Sequence, residues 1–177
     1  MRRFRRNSRP RVIKAGAVLV ALLAMGMPEG HATKKDLWMF IAEMSASLRT
    51  LSNTSVNDLP LQFTLTKDNE YIHFYHADDV RLADDMRITG IDLRVSKERD
   101  GMAPLLNFSP SGLCITLDAV KKHYPELVLT DYPRGRSGNE VTSYTAPEDM
   151  NGQKVSFSFS VNKPDCLDSV VINAGND

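Results

Sequence analysis

Residues 155–161 read Val-Ser-Phe-Ser-Phe-Ser-Val, apolar and polar side chains alternating without exception. Successive side chains leave a strand by opposite faces, so such a run is satisfied by a strand with one face buried and the other wet. Sheets built from strands of this kind are antiparallel and pack one face on a core. The same alternation opens at residue 61, where Leu61, Phe63 and Leu65 interleave with Gln62 and Thr64. Residues 67–70 (Lys-Asp-Asn-Glu) read as a hairpin turn, 71–76 as the returning strand and 86–95 as a third strand. In that third strand Gly90 shifts the pattern so that Ile91, Leu93 and Val95 share a face, the mark of a bulge. The polar residues 96–101 form a loop. Four more strands are expected over 127–130, 141–146, 154–161 and 166–172, the last two joined by the turn Asn162-Lys163-Pro164-Asp165.

Two segments carry helical periodicity instead. Leu37, Phe40, Ile41, Met44, Leu48 and Leu51 recur at helical spacings and make the apolar stripe of an amphipathic helix. Its cap is Asp36 or Thr33, its stop the polar cluster at 52–55, and Trp38 lies near enough to the stripe to pack with it. Thr116 caps a second helix over 117–124, with Leu117, Val120 and Tyr124 on one face and Pro125 ending it. The second half thus repeats the order helix then strands on a shorter scale. Runs of strands beside two helices define an α+β fold, an antiparallel sheet covered on one face by the N-terminal helix and the second short helix.

Charge is unevenly spread. Arg2, Arg3, Arg5, Arg6, Arg9, Arg11 and Lys14 precede an apolar run over 15–27, which is followed by Pro28 and by Gly30-His31-Ala32, whose small residues suit a signal-peptidase site. A helix over that run rises only about 20 Å against a hydrocarbon core of about 30 Å, which favours a cleaved export signal over a permanent span. Residues 1–32 are therefore expected to be a signal peptide and 33–177 a single domain in the periplasm, with no later membrane span. The paired arginines lack a twin-arginine continuation, so general secretion is favoured. From residue 33 onward the chain has 15 basic and 21 acidic residues, a net charge of −6, which argues against nucleic acid as a partner. An oxidising compartment lets the two cysteines, Cys114 and Cys166, close a disulfide.

No reaction is specified. His73, His76, Asp78 and Asp79 are close in sequence, but side chains three apart on a strand leave by opposite faces, so the two histidines cannot chelate one ion, and ligands from elsewhere, for example His123 or Asp92, would have to supply a site. The paired acids Asp78, Asp79, Asp84 and Asp85 lack the alternate spacing of a calcium loop. Gly135-Arg136-Ser137-Gly138 lacks the setting of a nucleophile elbow, and no glycine loop with a following Lys-Ser/Thr is present to hold phosphate. The expectation is a binding protein that is not an enzyme and has no metal or cofactor. Two segments are candidate partner-binding surfaces. The first is the basic, glycine-containing loop 132–139, offering Tyr132, Arg134 and Arg136, residue types that dominate hot spots. The second is the polar stretch 75–85, offering Tyr75, Asp78 and Asp79 together with Asp84 and Asp85.

The segment Cys114 through Val120 to Tyr144, followed by 154–161 and 166–172, is similar in layout to a half-domain of β-lactamase-inhibitor-like folds, in which a short helix precedes a curved antiparallel sheet. With the export signal, the size and the expected disulfide, the chain resembles small periplasmic inhibitor and immunity proteins, including those of type VI secretion effectors. The resemblance implies binding and blocking of a protein partner, a toxin or hydrolase, basic if it complements the −6 body. The other class compatible with these features is an envelope-assembly or structural module that binds a membrane or cell-wall component.

Overall fold

The computed structural model describes residues 35–51, 55–98 and 101–175. The expected signal segment, the alternative cap Thr33 and residues 52–54 of the expected helix stop lie outside them. Among the described residues the chain forms two α-helices and nine strands. Their order is α1 (Leu37–Arg49), β1 (Phe63–Asp68), β2 (Ile72–Ala77), β3 (Val80–Arg81), β4 (Arg87–Ser96), β5 (Leu105–Ser111), α2 (Leu117–His123), β6 (Val128–Asp131), β7 (Val141–Thr145), β8 (Lys154–Ser160) and β9 (Leu167–Asn173). All nine strands join one sheet in the order β1-β2-β4-β5-β9-β8-β7-β6, with β3 pairing β4, and every pairing is antiparallel. The fold is α+β.

Each half runs helix, then strands, and the halves meet through their last strands, β5 against β9. The two outer edges end alike. β1 has a register shift between Leu65 and Lys67, and Thr66 Oγ1 donates to the Phe74 carbonyl at 3.2 Å. β6 has one between Leu129 and Asp131, and Thr130 Oγ1 donates to the Ser143 carbonyl at 3.3 Å. Bulges at both edges twist the free backbone away from a further strand, a common protection against edge-to-edge association.

Register places the apolar residues in rows. Leu93 opposes Leu106, which opposes Ile172, which opposes Val155, and all four are buried. Phe108, Val170 and Phe157 make a second buried row. The helical stripe Leu37, Phe40, Ile41, Met44 and Leu48 is buried in the same core, where the Phe40 ring meets Phe108 edge-on at 5.1 Å. α2 contributes Val120, and Tyr124 at its end lies 4.8 Å from Phe157. Each of the fully buried rings Phe40, Phe108 and Phe157 stabilises by about 1.5–3 kcal/mol through burial alone.

Both helices start where the sequence places a cap: Asp36 Oδ1 accepts from the Met39 N–H at 2.8 Å, and Thr116 Oγ1 from the Ala119 N–H at 3.3 Å. The bulge at Gly90 forms, with φ +58° and an extra β4 residue between Thr89 and Asp92. Cys114 and Cys166 are disulfide-bonded, Cα atoms 4.9 Å apart across a sequence separation of 52. The bond ties the entrance of α2 to the start of β9, where the Leu167 N–H also donates to the Ile115 carbonyl at 2.8 Å.

Two local readings need correction, and one strand lies where no element is expected. β5, a central strand, occupies a segment to which the residue pattern assigns no element. Pro110 lies beyond Phe108–Val170, the last β5–β9 pair, where β5 has a ladder partner only on the β4 side and a proline is tolerated. The first hairpin turns later than 67–70, since β1 runs on to Asp68 and Asn69 Oδ1 accepts from the N–H groups of Tyr71 and Ile72 at 2.9 and 2.8 Å. Tyr75 does not belong with the polar stretch that follows it. It sits within β2, opposite Leu65 and Leu93, half-buried against the core.

Candidate partner-binding surface

The loop 132–140 between β6 and β7 is built around one carboxylate. Glu140 Oε2 accepts from the N–H groups of Arg134 and Gly135 at 2.7 and 2.8 Å, and Oε1 from the N–H of Arg136 at 2.7 Å. Gly135, at φ +74°, lets three successive N–H groups converge on one anion, a backbone nest. The Arg136 N–H, joined by those of Gly135, Arg134 and Ser137, holds the Glu140 carboxyl below its ordinary value, with partial desolvation opposing. The far side of the loop is also tied, since Asn162 Nδ2 donates to the Gly138 carbonyl at 2.7 Å and the Val161 N–H to the Glu140 carbonyl at 3.1 Å.

This scaffold leaves the predicted anchors facing outward. Tyr132, Arg134 and Arg136 are all exposed, and the Arg134 guanidinium lies 5.9 Å from the centroid of the Tyr132 ring. Val128 and Leu129 of the adjoining edge strand are exposed as well, on opposite faces of the sheet.

Asp78 and Asp79 are exposed in the turn between β2 and β3, and Asp84 and Asp85 take left-handed φ values of 54° and 58° in the turn before β4. By strand register these turns and loop 132–140 lie at the same end of the sheet. β2 and β7 are five strand spacings apart, about 24 Å. The acidic and basic candidates are therefore two flanks of one rim, with the disulfide-tied residues 112–116 and the 161–166 turn between them; Tyr75 belongs to neither.

One face of the sheet is crossed by a single file of side chains. Thr64, His76, Asp92, Asn107, Val171, Ser156, Thr145 and Val128 are successive cross-strand partners, and each is exposed or half-buried. Hydroxyl pairs knit it together: Thr145–Ser156 at 2.8 Å, Thr130–Thr145 at 2.9 Å and Ser143–Ser158 at 2.8 Å. At the β6 end a groove of about 450 Å3 is walled by Leu105, Val128, Val171 and Pro147.

The two histidines of β2 diverge. His73 Nδ1 lies 2.8 Å from Asp68, whereas His76 Nδ1 lies 3.0 Å from Asp92 on the other face. Lys97, donating to Asp68 at 3.0 Å, together with His73 holds that carboxyl below its ordinary value. Among the described residues no group of three or more His, Cys, Asp and Glu side chains is placed to hold a metal ion, and no helix is long and apolar enough to cross a membrane. Sequence reasoning named the exposed anchors of loop 132–140 but missed Glu140; its signal was an acidic residue just after a Gly-containing turn. No protein family, curated protein or solved structure matches the chain.

Proposed function

We propose that this protein is a periplasmic, non-enzymatic inhibitor, an immunity-type protein that neutralises a toxin effector or hydrolase by occluding its active site. The observation that carries this reading is the Glu140 nest, which pre-shapes loop 132–140 and displays Tyr132, Arg134 and Arg136 with their backbone already ordered. Pre-organisation lowers the entropy lost on binding, and Tyr and Arg supply much contact energy per side chain. In this reading α1 and α2 both lie over one face of the sheet, which leaves the file from Thr64 to Val128 open beside the loop. The −6 body speeds encounter with a basic target. An export signal over 1–32 and the disulfide agree with an oxidising compartment.

The test is co-purification of the full chain with the product of the adjacent gene. A complex that Arg134→Glu/Arg136→Glu weakens at least ten-fold supports the reading, while an adjacent product that never binds contradicts it.

A further inference from the structure

A second groove, also about 450 Å3, lies between α1, the residues leaving α2 and the connection from β7 to β8. That volume is within the range of about 300–1,000 Å3 typical of ligand sites. Gln153, only 5% exposed, lines it. Gln153 Nε2 donates to the Ser45 carbonyl at 2.9 Å, and because a carbonyl only accepts, the amide orientation is settled. Gln153 Oε1 has no partner among the described residues and is left as an acceptor in the groove wall. Glu126 presents an exposed carboxylate at the rim, likewise without a partner among the described residues.

The other ionisable side chains lining the groove are Arg49, Asp149 and His123. Asp149 accepts from the N–H groups of Asn151 and Gln153 at 2.9 and 3.0 Å through Oδ1, while Oδ2 lies 3.5 Å from Arg49, so that cation is locally balanced. His123 is stacked on Trp38. The walls are Tyr124, Pro125, Pro147 and Val155. An occupant that satisfies Gln153 Oε1 and Glu126 together donates N–H groups, carries positive charge and lays an apolar stem along these walls. A guanidinium meets all three demands, with five donors in a planar fork.

We propose that this groove seats an arginine side chain presented by the partner protein. The inference rests on the protein-binding reading above, and the net −6 of residues 33–177 favours the same sign of ligand.

The probe is the blocked peptide acetyl-Gly-Arg-Gly-amide, titrated into the full-length, disulfide-bonded protein by 1H–15N NMR, with its neutral citrulline counterpart as control. The arginine peptide should give saturable shifts at Ala42, Arg49, His123 and Gln153, and the citrulline peptide should bind at least ten-fold more weakly. Glu126→Gln, an exposed change that leaves the core intact, should weaken the arginine peptide by about five-fold. Equal binding of both peptides, shifts elsewhere, no saturable shifts, or no effect of Glu126→Gln would overturn the proposal. A partner protein that binds the wild type and Glu126→Gln alike also refutes the groove while the inhibitor reading stands, whereas absence of any partner undermines the inhibitor reading and leaves the peptide result intact.

Discussion

Trp38 lies flat on His123, ring centroids 3.9 Å apart and planes 17° from parallel, so the helices that open the two halves of the chain touch through an aromatic stack. Trp38 is the only tryptophan, which makes its emission a direct reporter of that contact. His123→Ala should red-shift the emission by exposing the indole and destabilise the fold by about 1 kcal/mol, the usual worth of a stacked pair. Unchanged emission and stability would show that the stack does not persist in solution.

Reduction of the Cys114–Cys166 bond should be expensive, because the covalent tie spans 52 positions. The chain-entropy relation for a loop of this length gives about 4 kcal/mol. For a domain of this size that is a fall in Tm of roughly 8–16 °C. Thermal unfolding with and without reductant checks it, and Cys114→Ser should match the reduced wild type.

Phe108 joins α1 to the centre of the sheet: it meets Phe40 edge-on and opposes Val170 on β9. Phe108→Ala should cost about 3–5 kcal/mol as a cavity opens in the middle of the core. Denaturant titration measures this. A loss below about 1 kcal/mol would mean that the core re-closes around the gap.

Glu140 sets a pH dependence whose sign follows from its partners. The nest of N–H groups stabilises the carboxylate, so the folded-state pKa lies below the ordinary value of 4.5. The contribution is therefore fully present above about pH 4.5 and is lost as pH falls through the lowered folded value. Amide exchange at Arg134, Gly135 and Arg136 should be protected near neutrality and accelerate, relative to their intrinsic rates, in acid. Glu140→Gln, whose neutral side chain brings an N–H group towards donors, should show the accelerated state at every pH while leaving the core amides of β8 and β9 protected.

Much of this arrangement was legible from residue pattern. The stripe from Leu37 to Leu48 and the caps Asp36 and Thr116 are local features whose physics is complete within one or two turns. The same holds for the alternation of β8 and the Gly90 bulge, which depend on neighbours two or three residues away. The residue pattern assigns β5 no element, and only the sheet order shows that Pro110 stands where one ladder is missing. The meeting of β5 with β9 is a contact between residues more than sixty positions apart, which no local period encodes. Tyr75 falls within the expected strand over 71–76, so its grouping with the acids beyond it fails, because strand pairing carries β2 through to Ala77. Glu140 was missed because its role depends on three backbone N–H groups converging, a property of loop conformation and not of residue type.

The central claim, that the chain neutralises a protein outside the cytoplasm, is tested most directly by growth. Cells making the adjacent gene's product are compared with that product directed either to the periplasm or to the cytoplasm, each with and without the full chain. The account predicts poor growth from the periplasmic product, restored by the full chain and much less so by its Arg134→Glu/Arg136→Glu variant. Growth that stays poor despite the full chain, or rescue only of the cytoplasmic product, would contradict it.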